Sequence, residues 1–219
     1  MKDIGMLFDW DGVVIDSSAA HEKSWELLAS EMGRTLPEGH FKEGFGRKNE
    51  YIIPEILGWT RDSEEIKDIA RRKEFLYREI LKETGIEALP GVKKLLESLK
   101  EAGIPCAVGS STERENITTV MELLGFSEFF QKIISADEVV HGKPDPEVFL
   151  KAAASIGRKP QECVVFEDSF AGLQAARAGK MKSVGVATTN SLSALVGKAD
   201  LVVYRLTDVD LPKLYRLFE

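Results

Sequence analysis

The sequence predicts an α/β fold: a parallel sheet covered by helices on both faces, interrupted after its first strand by a helical insertion. Three observations carry this. From residue 90 onward, short apolar runs alternate with helical segments across Gly-rich turns, as repeated β-α units require. Residues 17–88 show helical periodicity and little strand signal. The apolar run Ile4-Gly5-Met6-Leu7-Phe8 reads as a buried strand of the same sheet. The expected division is a core of residues 1–16 and 89–219 with an insertion of residues 17–88.

Taken in order, the insertion starts with a capped helix running from Ser17 or Ser18 to Met32, with Trp25, Leu28 and Met32 at helical spacing. A short helix is expected over 48–57. A long one over 62–84 is opened by Asp62-Ser63-Glu64-Glu65 and closed by Gly85. In the core, Pro90-Gly91 introduces a helix reaching Ala102, and 104–109 reads as a buried strand. A helix over 113–124 precedes a short strand over 132–135. Helix 145–156, strand 163–166, helix 169–178 and strand 183–187 follow. Residues 201–204 form a last strand before a terminal helix over 211–217. In doubly wound sheets the ligand crevice lies at the carboxyl ends of the strands, and every motif below falls at such an end.

Composition narrows the function. Hydrophobic residues at 43% and charged residues at 30% suit a soluble globular protein. The net charge of −7 argues against a broad nucleic-acid or anionic-membrane surface. No stretch approaches the ~20 apolar residues of a membrane span, and Met1-Lys2-Asp3 leads into a strand without an apolar signal region. Cys106 and Cys163 lie far apart in apolar runs, so reduced core cysteines and a cytoplasmic location are expected.

The most informative segment is Asp9-Trp10-Asp11-Gly12-Val13-Val14-Ile15-Asp16. Carboxylates two residues apart at a strand end leave on the same side, and Gly12 allows a sharp turn after them. Such crowding is costly unless a cation intervenes or one group is protonated, and Mg2+ suits an oxygen-rich corner. A strand running into an acidic turn would read the same way if this segment stood alone. The second core strand ends in Gly109-Ser110-Ser111-Thr112-Glu113-Arg114, whose hydroxyls and N–H groups suit phosphate oxygens, or simply cap a helix. Gly142-Lys143-Pro144-Asp145-Pro146 holds a lysine in a proline-stiffened loop, able to neutralise phosphoryl charge. Phe166-Glu167-Asp168-Ser169 sets an acidic pair before a helix, as metal ligands or as favourable helix-start charges.

In this order, the four motifs resemble the haloacid dehalogenase superfamily over nearly the whole chain, most of all its beta-phosphoglucomutase-like branch with its sugar-phosphate phosphatases. The resemblance implies a Rossmann-like core with an inserted helical cap domain. It implies that Asp9 is the nucleophile and a metal ligand. Asp11 would be the general acid/base and would bind Mg2+ through its carbonyl. Ser110 and Lys143 would hold the phosphoryl group, and Asp168 with Glu167 would complete the metal site. Asp16 would fix the hinge. Dehalogenation releases halide without a proton or a metal, and would leave Asp11 and the acidic pair without a role.

Within the insertion, His21 and Lys73 match cap positions that contact substrate in the mutase-like branch, and Trp25 lies beside them in sequence. Mutases of the branch carry an Arg in the loop that reads here Gly44-Phe45-Gly46-Arg47-Lys48-Asn49-Glu50. Asn49 occupies that place, with Arg47 two residues earlier. The candidate substrate contacts are thus His21, Trp25, Gly46, Arg47, Asn49, Lys73, Ser111, Thr112 and Arg114. The expected function is a Mg2+-dependent phosphatase of a small phosphate ester, acting as a monomer through an aspartyl-phosphate. A phosphosugar mutase is the alternative, and a non-catalytic phosphometabolite-binding protein ranks below both.

Overall fold

The computed structural model describes residues 3–44 and 47–219. In chain order the strands are β1 (Gly5–Phe8), β2 (Cys106–Gly109), β3 (Lys132–Ile134), β4 (Cys163–Glu167), β5 (Lys182–Val186) and β6 (Leu201–Val203). The helices of the insertion are α1 (Ser18–Met32), α2 (His40–Gly44), α3 (Asn49–Tyr51) and α4 (Ser63–Thr84). Those that follow are α5 (Val92–Glu101), α6 (Arg114–Leu124), α7 (Glu147–Ser155), α8 (Phe170–Ala178), α9 (Leu192–Leu195) and α10 (Leu211–Arg216). The chain divides into two compact units, Met1–Asp16 with Glu87–Glu219, and Ser17–Ile86.

The first unit is built on a parallel six-stranded sheet in the order β3-β2-β1-β4-β5-β6. The winding reverses at β1, which places a crevice at the carboxyl ends of β1, β2 and β4. Register aligns them. Phe8 pairs with both Val108 and Phe166, so the next residues, Asp9, Gly109 and Glu167, come abreast. Strands β1, β2 and β4 are buried on both faces, which explains their unbroken apolar runs. Phe8 stacks on Phe166 at 4.5 Å between centroids. On one side of the sheet, Leu7, Ala107 and Val165 join Val148, Phe149, Ala152 and Ala153 of α7 in a continuous core. Burying a side chain such as Phe149 contributes about 2–3 kcal/mol, enough to fix the helix against the sheet.

The second unit pairs α1 with α4 around Trp25, Leu28, Ile53, Trp59, Ile69 and Leu76. Asp62 caps α4 by accepting the N–H groups of Glu64 and Glu65, as its sequence signal predicts. The expected helix over 48–57 is corrected to α3 followed by a π-helical turn, Ile52–Ile56. Pro54 has no N–H to give and its ring crowds the preceding turn, so the backbone widens and Leu57 N–H reaches back to Ile52 O at 2.9 Å. Similarly, α7 starts at Glu147, two residues later than expected, because Pro144 and Pro146 hold the preceding loop out of the helix. The short helices α2 and α9 carry too little periodicity to be read from sequence. Among the described residues, no helix is long and apolar enough to cross a membrane. Both cysteines are buried and free.

Candidate active site

The chain leaves β1 through Asp9, whose N–H still donates to Phe166 O at 3.0 Å. Trp10 turns the other way and is buried, its ring edge-on to Phe130. Trp10 O then collects the N–H groups of Val13, Val14 and Ile15, while Gly12 N–H donates to Ile15 O at 2.7 Å. This tight turn requires Gly12. Its φ is +79°, and a Cβ there would lie 2.0 Å from Asp168 Oδ2. The first motif is therefore packed directly on the fourth.

Lys143 lies between the two acidic motifs. Its ammonium is 2.9 Å from Asp9 Oδ1 and 2.6 Å from Glu167 Oε1, and 4.7 Å from the centre of the Phe149 ring beneath it. The preceding loop is tied down by Glu147, which accepts from the N–H groups of Val140 and His141 and pairs with Lys151. The Lys143–Pro144 bond is cis. Glu167 is fully buried, and its other oxygen accepts from Ser169 N–H at 2.7 Å and Ser169 Oγ at 2.9 Å. Gly172 makes room for it, since a Cβ there would fall 1.7 Å from Glu167 Oε1.

The charges in this pocket are unequal. Burial works to raise the Glu167 pKa, but Lys143 and the Ser169 donors outweigh it and hold the carboxyl below its ordinary value. Burial pushes Asp9 well above the usual carboxylate range, and the negative charges of Glu167 and Asp168 add to this against the pull of Lys143. Asp168 is pushed up to about 7, first by burial and then by Glu167. Burial disfavours the Lys143 ammonium, yet Asp9 and Glu167 keep its pKa above the ordinary value.

Carboxylate oxygens of Asp9, Glu167 and Asp168 lie within 4.8 Å of one another. Three carboxylates facing one ammonium leave an excess of negative charge that a divalent cation would balance. Asp9 Oδ1 is buried, and the Lys143 ammonium at 2.9 Å does not exhaust its lone pairs, so the carboxylate could also serve a metal. The donor set is all oxygen, as Mg2+ prefers. Both Glu167 oxygens are engaged, one by Lys143 and the other by Ser169.

Ser110 is buried at the end of β2, its N–H bonded to Ile134 O at 3.0 Å and its Oγ accepting Thr112 N–H at 3.2 Å. The Thr112 hydroxyl donates to Asp11 Oδ2, which joins the second motif to the first. Ser111 is exposed beside them. Arg114 is held elsewhere, by an ion pair with Glu138 and a hydrogen bond to Ile133 O.

The insertion has its own polar cluster. Lys73, only 3% exposed, lies 2.6 Å from His21 Nδ1 and 3.0 Å from Glu74 Oε1. Glu74 Oε1 also accepts from Asn49 Nδ2 at 2.8 Å. His21 stacks on Tyr77 at 4.0 Å, and the Lys73 ammonium lies 5.5 Å from the rings of Trp25 and Tyr77. Burial, followed by the Lys73 charge, lowers the His21 pKa to about 3, so at neutral pH the ring is uncharged and Nδ1 accepts. Of the insertion's candidates, His21, Trp25, Asn49 and Lys73 are thus brought together. Arg47 is not among them; it donates to Glu43 O at 3.2 Å and covers the Tyr51 ring. Gly46 lies outside the described residues.

Sequence reasoning passed over Glu74 and Tyr77, which share the Lys73 face of α4, and Gly172. It also passed over Thr189 and Asn190, which bond Asp168 from the end of β5. The rule that placed the other motifs, polar residues directly after a core strand, marks Thr188-Thr189-Asn190 equally well.

Residues 6–186 match the family model of haloacid dehalogenase-like hydrolases. The chain belongs to this family. It is 35% identical over 217 residues to the chloroplastic 5-amino-6-(5-phospho-D-ribitylamino)uracil phosphatase of Arabidopsis thaliana, a match covering 98% of this chain and 57% of that protein. It is 32% identical to the fructose-1-phosphate phosphatase YqaB of Escherichia coli, over 83% of this chain and 95% of that protein. The crystal structure of a beta-phosphoglucomutase from Clostridium difficile superposes with a TM-score of 0.83 at 28% identity, covering 100% of this chain and 97% of that one.

Proposed function

We propose that this chain is a Mg2+-dependent phosphatase that hydrolyses a small phosphate ester, a sugar phosphate by preference, through a phosphorylated Asp9. The observation that carries the reading is the Lys143 ammonium set between Asp9 and Glu167, with Asp168 alongside. Mg2+ would be held by the carboxylates of Asp9 and Asp168 and the carbonyl of Asp11, with Glu167 beside it, and would neutralise charge on the phosphoryl oxygens. Asp9 attacks phosphorus while Asp11 protonates the leaving oxygen. Lys143, Ser110 and the N–H groups of the β2 loop hold the phosphoryl oxygens. Water then attacks the aspartyl-phosphate and gives its proton to Asp11. Thr112 fixes the Asp11 carboxyl for both transfers. Ser111 contributes from the same loop. His21, Trp25, Asn49 and Lys73 recognise the part of the substrate that is not transferred. The enzyme acts as a cytoplasmic monomer.

The Clostridium difficile relative favours a second reading, a phosphosugar mutase. A mutase must bind a second phosphate firmly. Here Glu74 engages both Lys73 and Asn49, and a carboxylate among these candidate donors disfavours an anion there, which supports the phosphatase.

The test is phosphate release from a panel of phosphorylated metabolites, with Mg2+ and with a chelator. The reading requires Mg2+-dependent release from at least one small ester, and fails if no ester is hydrolysed. Beta-glucose 1-phosphate supplied with its bisphosphate separates the alternatives: glucose 6-phosphate formed much faster than free phosphate would select the mutase.

A further inference from the structure

Two side chains beyond the end of β5 hold Asp168 at two points. The Thr189 hydroxyl donates to Asp168 Oδ2, and Asn190 Nδ2 donates to the Asp168 main-chain carbonyl at 2.9 Å. The same Oδ2 is the atom that packs on Gly12, where a Cβ would come within 2.0 Å. Asp168 is thus pinned between the turn of the first motif and the β5 loop, its main chain fixed by a separate donor. The loop itself is anchored. Thr188 N–H donates to Val186 O at 2.9 Å, and Ser191, the residue after Asn190, caps α9. Glu167 is in register with Gly185 of β5, so Asp168 comes level with Val186 and the loop carrying both donors starts beside it.

Resting on the Mg2+-dependent reading above, we propose that Thr189 and Asn190 are positioning residues that aim the Asp168 carboxylate at the metal. A carboxylate on a single strand-end residue has freedom in both its rotamer and its backbone. A hydroxyl on one oxygen removes the first freedom, and an amide on the carbonyl removes the second. Groups that orient a metal ligand in this way typically change metal affinity by about 10- to 100-fold when removed.

The experiment measures Mg2+ affinity without substrate, from the rise of the thermal midpoint of the full chain with Mg2+ concentration. Thr189→Val keeps the shape and removes the hydroxyl; Thr189→Ser keeps the donor; Asn190→Ala removes the amide. Thr189→Val and Asn190→Ala are each expected to weaken Mg2+ binding by about tenfold or more, with midpoints in chelator close to wild type. Thr189→Ser is expected to restore most of the affinity, and kcat of Thr189→Val should recover as Mg2+ is raised. A folded Thr189→Val with wild-type Mg2+ affinity overturns the proposal. If that variant does not fold, wild-type affinity in Asn190→Ala overturns it, and weakened affinity there supports it. A wild-type chain that does not bind Mg2+ removes both the clamp and the metal from the proposed function. One that binds Mg2+ through the clamp yet hydrolyses no ester faults only the proposed reaction.

Discussion

The core and the insertion each bury a set of charges, and they balance them differently. In the core, Asp9, Glu167 and Asp168 face the ammonium of Lys143, and burial first, then the neighbouring carboxylates, raises the pKa values of Asp9 and Asp168. In the insertion, buried Lys73 pairs with Glu74, buried Arg78 lies one turn further along α4, and His21 stays neutral beside Lys73. The first arrangement has room for a divalent cation among its carboxylates. The second sets opposite charges against each other within one helix. The backbone makes the same distinction. Asp9, Glu167 and Asp168 come from two strand ends brought abreast by register and Lys143 from the loop before α7, whereas Lys73, Glu74 and Tyr77 come from consecutive turns of one helix.

The sharpest way to break this comparison is to remove the proposed nucleophile. Asp9→Asn keeps the shape but removes the attacking charge, and phosphate release should fall by about 10⁴-fold or more. Substantial residual turnover would exclude a phosphorylated Asp9. Lys143→Met should lower kcat by about 10²–10³-fold and also lower the thermal midpoint in chelator, because it leaves the carboxylates without their ammonium. Added Mg2+ should recover part of that midpoint. An unchanged midpoint in chelator would mean that Lys143 does not balance the pocket.

In the insertion the expected effect falls on stability. Lys73→Met removes the ion pair of the buried Glu74 and should cost about 3–5 kcal/mol in a denaturant titration. Pairing it with Glu74→Gln should restore part of the loss, and strict additivity of the two would contradict a direct coupling between them.

The smallest effect is in the response to acid, where the two regions have opposite signs. Without Mg2+, Asp168 titrates at about 7 when folded against an ordinary 3.8, so its contribution is fully present below 3.8 and is lost as pH rises through 7. His21 titrates at about 3 when folded against 6.5, so its contribution is present above 6.5 and is lost as pH falls toward 3. Because His21 is only partly buried, its loss at pH 5 should be about 1 kcal/mol. His21→Gln should remove that slope, and an unchanged pH profile would show that the ring is not held neutral.

The difference between the regions also explains what was legible in the sequence. Asp9, Asp11, Ser110, Glu167 and Asp168 end or follow short apolar strands, and Lys143 stands in a proline-stiffened loop, so a linear pattern with a known topology places them together. The alternation after residue 90 gave the sheet for the same reason. Tertiary pairing is less visible. Arg114 stands in a phosphate-like loop by sequence, but Glu138, brought in by the turn after β3, engages it. Glu74 looks like one more charge on a solvated helix until α1 covers it. Thr189 and Asn190 obey the same strand-end rule, but the residue they hold is 21 and 22 positions away, and only the pairing of β4 with β5 brings the two strand ends together.

The claim that unites the core is that Asp9, Lys143 and Asp168 form one site for a divalent cation and a phosphoryl group. Its most direct test is the thermal midpoint of the chain with Mg2+, with a phosphoryl-mimicking fluoride complex, and with both together. The account predicts a modest rise with Mg2+ alone and a much larger rise with both, which Asp9→Asn abolishes. No cooperative rise in the wild-type chain, or an equal rise in Asp9→Asn, would contradict it.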